Sequence, residues 1–271
     1  MIAFAGNSLL CRLALKRTTI DAASFTFIRV LSGAVALWLI VMMRKGTQPK
    51  AGNWASALAL FAYAAAFSFA YVSLSAGTGA LLLFGAVQAT MIIWGLSQGE
   101  RLRMRQWLGL ALAVAGLIAL LFPGLSAPPI NGALLMLCAG IAWGFYSLRG
   151  KGGGDPVTTT AGNFLRAVAF AAGLSIALLP WIKLDHAGVG YAILSGAIAS
   201  GIGYVIWYSA LPRLKAASAA TVQLSVPVLA AAGGILFLSE SITLRFILAS
   251  IAVLGGIALV VTENPRGVPP D

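Results

Sequence analysis

The 271-residue sequence predicts an all-α integral membrane protein with ten transmembrane helices in two inverted five-helix repeats. Hydrophobic residues make up 60% of the chain and charged residues only 9%, a composition far from that of soluble domains. Apolar runs of about the length that crosses a bilayer recur along the whole chain. The second half of the sequence also repeats the pattern of the first half.

The apolar runs follow one another with short polar connections between them. They are uniformly apolar, whereas a barrel strand would alternate, and lipid cannot satisfy an open backbone. The predicted helices lie near residues 1–15, 23–43, 54–74, 77–98, 106–122, 130–149, 160–180, 188–211, 216–238 and 243–262. Because the connections are short, we expect neighbouring helices to run antiparallel.

The repeat can be followed residue by residue. A shift of 137 lays Arg29 on Arg166, and three extra residues at 212–214 change the shift to 140, which lays Glu100 on Glu240. Five helices is an odd number, so the second copy must enter the membrane from the side opposite to the first. The sequence therefore predicts inverted repeats.

Three segments follow from the repeat. The first five-helix repeat covers residues 1–123, the second covers residues 128–262, and residues 263–271 form a tail that we expect to be disordered. The chain begins directly in an apolar run without a basic leader, so we expect no removed signal peptide.

The formal net charge of +11 comes from basic residues that lie between the apolar runs. Most of them fall in loops on the side of the N-terminus, which predicts that both termini are cytoplasmic. This placement argues against nucleic acid as a partner. The two cysteines, Cys11 and Cys138, lie inside apolar runs and are interpreted as buried free thiols.

The motifs of several enzyme classes are missing from the sequence. The single histidine, His186, lies in a loop, so a His-rich metal site is excluded, and there is no GxSxG elbow and no P-loop. We therefore predict no enzyme activity, no cofactor and no ATP hydrolysis. All seven acidic residues fall at helix ends, in loops or in the tail, so no embedded acid is available to carry a proton. We expect Glu240 to pair with Arg245 or with a helix end.

Two matched arginines lie well inside predicted helices and not near their ends. Arg29 and Arg166 occupy the second helix of each half, about a third of the way in. A long arginine can extend to the membrane interface, which is one interpretation. The other is that each closes a gate or contacts a substrate carboxylate.

Other polar and aromatic residues inside the helices are candidates for lining a substrate cavity, although single residues of these types also serve as contacts between helices. These candidates are Asn7, Tyr71, Phe84, Gln88, Trp94, Trp143, Tyr146, Tyr204, Tyr208 and Gln223. Tyr71 and Tyr208 occupy matching positions, so we expect them to face each other across the pseudo-two-fold axis.

The chain resembles the drug/metabolite transporter superfamily in its EamA-type branch, and within that branch it is most similar to the YddG-type amino-acid exporters. The segments that carry the resemblance are Phe27–Arg29 with Phe164–Arg166, Tyr71–Leu74 with Tyr208–Leu211, and Gly77–Glu100 with Ala217–Glu240. The resemblance implies a basket-like bundle in which helices one, three, four, six, eight and nine surround a cavity, with the fifth and tenth helices outside.

The resemblance also implies a secondary transporter of the bacterial inner membrane that exports amino acids, above all aromatic and other apolar ones, by alternating access. The four-helix multidrug relatives use a glutamate in their first helix for proton exchange, and here that helix offers only Asn7 and Ser8. We therefore expect facilitative transport. The expected partners are a small-molecule substrate and membrane lipid, and the expected state is a monomer or a homodimer.

Two alternatives stay open at this point. One is a carrier of the same architecture for another small metabolite or a drug-like compound. The other is a scaffold or membrane enzyme that transports nothing. A scaffold would have its helices packed solid, whereas a carrier would gather its polar residues in one place.

Overall fold

The computed structural model describes residues 1–44, 51–99, 101–124, 126–150, 155–210 and 222–261. Within these ranges the chain forms ten helices and no strand, which confirms the predicted fold class. The helices are α1 (Ile2–Arg17), α2 (Ala22–Met43), α3 (Trp54–Tyr71), α4 (Ala76–Ser97), α5 (Met104–Leu121), α6 (Ile130–Arg149), α7 (Pro156–Ala177), α8 (consecutive segments His186–Ile193, Leu194–Ile202 and Gly203–Ala210), α9 (Ser225–Leu238) and α10 (Leu244–Val261). The part of α9 predicted for residues 216–221 lies outside the described residues.

Most of these helices are long and apolar enough to cross a membrane. Of the described helices, α2 to α8 and α10 meet that requirement by length and composition. The exceptions are α1 and α9, whose described lengths are 16 and 14 residues. The chain is therefore a multi-pass membrane protein.

Helices of the first half pack chiefly on helices of the second half. α3 packs on α6 and α7, α2 on α7 and α8, α4 on α6 and α9, α1 on α8 and α9, and α5 on α10. When the two halves are exchanged, so that α1–α5 take the places of α6–α10, each of these contacts becomes itself or another contact in the same set. The middle of the bundle is therefore built by both halves together.

Polar side chains fix where several helices begin. Asp21, Asn53, Ser75, Asp155 and Asp185 each accept hydrogen bonds from backbone N–H groups in the first turn of the following helix. Helix α7 begins at residue 156, before the predicted residue 160, because Asp155 caps it and the next residue is a proline, which suits a first helical turn. That signal was present in the sequence.

Helix α9 is interrupted near a proline. The helical hydrogen-bond pattern is interrupted at Leu224, which keeps helical backbone angles, and α9 begins at Ser225, two residues before Pro227. Proline lacks an N–H group and clashes with the preceding turn, so it is tolerated where a helix begins. Pro227 therefore lies in the first turn of the described helix and not in its middle.

The middle segment of α8, Leu194–Ile202, is π-helical. It approaches α2 so closely that a Cβ atom at Gly196 would overlap the backbone carbonyl oxygen of Arg29 and the hydroxyl of Ser32. π-helical turns within α-helices are frequently found at functional sites. Here the stretch brings the α2 backbone and the α8 backbone into direct contact.

Helices α5 and α10 form a pair at the side of the bundle and pack mainly on each other. A Cβ atom at Gly109 would lie 2.6 Å from the carbonyl oxygen of Gly256. Such close backbone approach is typical of helix pairs in membranes, where small residues replace a hydrophobic driving force. Gly109 and Gly256 thus form a packing contact within the chain.

One end of the bundle is joined by a charged cluster, which we call the Glu240 end. Arg12 donates from Nε to Oε1 of Glu240 at 3.1 Å, and from Nη1 to the carbonyl oxygens of Tyr71 at 2.8 Å and Val72 at 2.9 Å. The other carboxylate oxygen of Glu240 accepts the Ala76 backbone N–H at 2.8 Å. These bonds connect α1, the end of α3, the start of α4 and the segment after α9.

The prediction of the partner of Glu240 was only partly right. Glu240 does bind a helix end, the first turn of α4, but its ion pair is with Arg12 and not with Arg245. Arg245 instead donates a hydrogen bond to the carbonyl oxygen of Phe122. Arg12 lies far away in sequence, and only the folded bundle brings it to Glu240.

The repeat mate of Arg12 makes different contacts at the other end. Arg149 donates from Nε to the hydroxyl of Ser56 at 3.2 Å and from Nη2 to Oδ1 of Asn53 at 3.3 Å. The positions that match Asn53 and Ser56 in the second half hold glycine and isoleucine, residues 190 and 193. This contact therefore has no equivalent at the Glu240 end.

The two cysteines differ in their surroundings. Both thiols are free, as expected, but only Cys11 is buried, whereas Cys138 is exposed on α6. The expectation of two buried thiols was therefore wrong for Cys138. An apolar run in a membrane helix includes a face turned away from the protein, and hydropathy alone does not distinguish that face from the packed one.

Asp21 connects the two halves near the starts of α2 and α8. One oxygen accepts from the N–H groups of Ala23 and Ser24, and the other accepts from the N–H group of Lys183 at 2.9 Å. Burial alone would raise the pKa of the Asp21 carboxyl, but hydrogen bonds from Ser24, Lys183 and Ala23 outweigh it and keep the pKa below its ordinary value.

Replacing Asp21 by Ala is expected to lower the free energy of unfolding by about 1 kcal/mol or somewhat more, because a helix cap and an inter-loop bond are lost together. Since the pKa of the folded carboxyl is lowered, this contribution is present at neutral pH and is lost as the pH falls below about 4. Unfolding of the purified protein in detergent, at pH 7 and at pH 3.5, measures both effects.

The matched control is Asp185→Ala, which removes a cap bond to the N–H group of Gly188. It is expected to cost less than Asp21→Ala at pH 7. Equal losses for both variants, or a loss for Asp21→Ala that does not shrink at pH 3.5, would contradict the assignment.

Candidate substrate site

Aromatic rings from both halves meet in the middle of the bundle around Trp143. The centroid of its ring lies 4.8 Å from Tyr63, 5.4 Å from Tyr146 and 5.2 Å from Tyr204. Further rings extend this group, so that we define the aromatic cluster as Phe4, Tyr63, Phe67, Trp143, Tyr146, Phe164 and Tyr204. The cluster offers flat apolar walls contributed by α1, α3, α6, α7 and α8.

A chain of hydrogen bonds runs along one side of the aromatic cluster. Ser195, in the π-helical part of α8, donates to Oδ1 of Asn7 at 2.6 Å. The amide nitrogen of Asn7 then donates to the hydroxyl oxygen of Tyr63 at 3.2 Å, and Nη2 of Arg29 donates to the same oxygen at 3.0 Å. Four helices, α1, α2, α3 and α8, therefore meet in one polar network.

Arg29 lies at the end of this network and is buried, with 2% of its surface exposed. Its guanidinium carbon lies 4.8 Å from the centre of the Phe67 ring and 5.2 Å from that of Tyr63. Cation–π contacts of this kind hold a guanidinium in place without neutralising it. Its Nη1 atom is buried and has no hydrogen-bond partner among the described residues.

The repeat mate of Arg29 is placed differently. Arg166 is half-buried, and its Nη1 atom donates to the carbonyl oxygens of Ala51 at 3.0 Å and Gly162 at 2.9 Å. Arg166 therefore extends toward the end of the bundle where α3 begins, as the interface interpretation predicts. Arg29 does not, and its charge stays in the middle.

Four of the predicted cavity residues come together in the structure. Asn7 lies in the polar network, and Trp143, Tyr146 and Tyr204 lie in the aromatic cluster. That these residues contact a substrate stays a prediction.

Tyr71 lies at the edge of this group. Its ring packs on Phe67 with centroids 4.7 Å apart, and its hydroxyl donates to the carbonyl oxygen of Ala76 at 3.2 Å. A Cβ atom at Gly79 would overlap the Tyr71 ring, so this glycine makes room for it. The side chain of Tyr208 lies outside the described residues, so the expected pairing of the two tyrosines stays a prediction.

The remaining predicted cavity residues lie away from Trp143. Phe84 and Gln88 are buried in α4, Gln223 is half-buried just before α9, and Trp94 near the end of α4 is 45% exposed. None of them makes a ring contact or hydrogen bond with the aromatic cluster in the described part of the chain. Whether they contact a substrate in another arrangement of the helices stays a prediction.

The sequence reasoning did not select Tyr63, which accepts two hydrogen bonds in the network. Tyr63 has no matching tyrosine in the second half, where its repeat mate is Ser200. A usable signal was present, because Tyr63 is a tyrosine in the middle of the alanine-rich α3, and a buried tyrosine hydroxyl needs a polar partner. Ser195 was not selected either, because serine is common in membrane helices and a single serine gives little signal.

No group of three or more His, Cys, Asp or Glu side chains gathers as metal ligands within the described ranges. The site is built from aromatic rings, an amide, hydroxyl groups and one guanidinium. Such an arrangement suits reversible binding of a small molecule with a polar and an apolar part.

A bundle of membrane-spanning helices in which two inverted halves share a central region is the architecture of many membrane transporters. The match to a family of proteins is specific: the model of the EamA-like transporter family fits residues 1–122 and again residues 130–262. The chain belongs to the EamA-like transporter family.

Several proteins and one solved structure are similar to this chain. The chain is 60% identical to the uncharacterized protein PA1977 of Pseudomonas aeruginosa over 265 residues, which cover 97% of this chain and 92% of that protein. It is 34% identical to the threonine/homoserine exporter RhtA of Salmonella typhimurium over 167 residues, which cover 57% of this chain and 55% of RhtA. A crystal structure with 18% identity has the same fold, with a TM-score of 0.68 over 96% of this chain and 95% of that one.

Proposed function

We propose that this protein is a facilitative exporter of amino acids, above all aromatic and other apolar ones. The substrate binds at the aromatic cluster, and the protein transports it by alternating access. The protein would lie in the bacterial inner membrane with both termini in the cytoplasm. The proposal rests on the family, on the aromatic cluster, and on the similarity to RhtA, a threonine/homoserine exporter.

The aromatic cluster is the observation that carries the proposal. Trp143 contacts rings from α3, α6 and α8, so both halves contribute to one site near the middle of the bundle. Inverted halves that rock against each other change access to such a site from one side of the membrane to the other. The rings supply an apolar surface, and Asn7, Tyr63, Ser195 and Arg29 supply polar groups for the ends of an amino acid.

The absence of proton coupling in this proposal rests on where the acidic residues lie. In the described part of the chain, Asp21, Asp155 and Asp185 cap helix starts, and Glu240 is bound by Arg12 and by the start of α4. A proton-coupled carrier commonly uses an acid inside the membrane. Transport is therefore driven by the gradient of the substrate.

The test is counterflow in liposomes that contain the purified protein. Liposomes are loaded with unlabelled threonine, phenylalanine, leucine or other metabolites, and the entry of the labelled compound is followed with and without a proton uncoupler. We expect saturable exchange of at least one amino acid that the uncoupler does not change. Exchange of a different metabolite or a drug-like compound alone would favour the alternative carrier, and a rate that collapses with the uncoupler would refute facilitative transport.

Replacing Trp143 by Ala is expected to reduce exchange by about tenfold or more, because the substrate loses its largest apolar wall. The matched control is Trp107→Ala, which removes a tryptophan that is half exposed on α5, outside the aromatic cluster. Both variants are compared at equal amounts of folded protein. Normal exchange by folded Trp143→Ala would contradict the assignment of the site, and loss of exchange in Trp94→Ala would extend it to α4.

A further inference from the structure

The charge of Arg29 is held in the middle of the bundle without a neutralising partner. The ion pair formed within the described ranges joins Arg12 to Glu240, and Arg29 takes part in none. A guanidinium has five N–H donors, and leaving a buried charged donor without an acceptor is costly. Arg29 is nevertheless buried with its Nη1 atom unpaired.

A second donor without an acceptor lies next to it. The hydroxyl oxygen of Tyr63 accepts from Nδ2 of Asn7 and from Nη2 of Arg29, which occupies both of its lone pairs. Its own hydrogen is therefore free to be donated, and no acceptor for it is found in the described part of the chain. The bond from Ser195 to Oδ1 of Asn7 fixes the amide so that its nitrogen faces Tyr63.

We infer that Arg29 and Tyr63 bind the carboxylate of the transported substrate, so that the site selects molecules with a free carboxylate and an apolar body. This inference rests on the proposed function and adds the group by which the substrate is recognised. The guanidinium of Arg29 and the hydroxyl of Tyr63 lie side by side, so their two free donors match the two oxygens of a carboxylate. Charge-assisted hydrogen bonds of this kind are short and strong.

The positions of the other residues agree with this assignment. The rings of Phe67 and Tyr63 lie against the guanidinium and fix its direction, and the remaining rings of the aromatic cluster lie beyond Tyr63 for the apolar body. Arg166 satisfies its Nη1 atom with two backbone carbonyls, so it has no equivalent need for an anion. The two matched arginines therefore have different roles.

The test compares each amino acid with its own carboxamide, which has the same shape and lacks the carboxylate charge. Binding of threonine, threoninamide, phenylalanine and phenylalaninamide to the purified protein in detergent is measured by isothermal titration. In the unaltered protein we expect an acid to bind about tenfold or more tightly than its amide.

The variants locate the donor groups. Tyr63→Phe keeps the ring and removes the hydroxyl, so the ratio of acid to amide affinity is expected to fall several-fold, and in Arg29→Gln the ratio is expected to approach one. Arg29→Lys keeps the charge and is expected to retain part of the preference. Arg166→Gln is the matched control and is expected to leave the ratio unchanged.

The ratio is measured within each variant, so a general loss of stability does not move it. Equal binding of acid and amide by the unaltered protein would refute the carboxylate site while leaving the proposed function standing. Binding of neither form of any amino acid would refute the proposed function itself. If Arg29→Gln does not fold, the ratios for the unaltered protein, Tyr63→Phe and Arg29→Lys still decide the question.

Discussion

Glu240→Ala is expected to lower the free energy of unfolding by about 3 kcal/mol, since Arg12 is then left partly buried without its counter-charge. In the folded protein the exposed fractions of these two side chains are only 12% and 10%. The backbone N–H of Ala76 also loses its acceptor at the start of α4. Thermal or chemical unfolding of the purified protein measures the loss.

A double-mutant cycle separates the ion pair from other effects. Removing both charges, in Arg12→Ala with Glu240→Ala, is expected to cost less than the sum of the two single losses, because no charge is left unpaired. Lys16→Ala is the control, since this exposed lysine at the same end makes a single bond to the carbonyl oxygen of Leu238 and is expected to cost less than about 1 kcal/mol. Strictly additive losses in the cycle would show that Arg12 and Glu240 do not stabilise each other.

Gly196→Val is expected to cost about 3 kcal/mol or more and to abolish exchange in liposomes. The new Cβ atom would overlap the carbonyl oxygen of Arg29, which belongs to the α2 backbone and cannot rotate away as the hydroxyl of Ser32 can. Helices α2 and α8 would have to separate, and Arg29 would move from Tyr63. Expression of folded protein and exchange are both measured.

The control lies in the same helix. A Cβ atom at Gly190 would meet nothing within 4 Å, so Gly190→Val is expected to fold and to exchange normally. Folded, active Gly196→Val would show that the close contact between α2 and the π-helical segment is not required.

The sequence was sufficient to predict the ten helices and their inverted arrangement. Apolar runs of bilayer length mark the helices, and the repeat of an odd number of helices implies the inversion. The start of α7 was predicted too late because the cap at Asp155 extends the helix. The ion pair of Glu240 was assigned to the wrong residue because Arg12 is distant in sequence. Hydropathy reports that a residue belongs to a membrane helix. It does not report which face of the helix is packed.

The candidate site shows the same limit more sharply. Trp143 and Asn7 could be selected as polar or aromatic residues inside helices, but that Tyr63 accepts from both Asn7 and Arg29 follows only from the packing of α1, α2 and α3. The matched arginines also looked equivalent in the sequence, and their different surroundings depend on which backbone carbonyls each can reach. A repeat predicts equal positions and not equal partners.

The contact between α5 and α10 has a consequence for how such a chain arose. Gly116 packs on Val253, and Gly256 packs on Ala113, and each of these contacts becomes the other when the halves are exchanged by the shift of 140. A reciprocal contact of this kind is isologous, which is the form that two identical subunits make across a two-fold axis. An ancestral half inserted in both orientations could already have paired with itself through these residues. Fusion of two gene copies would then have preserved an older dimer inside a single polypeptide.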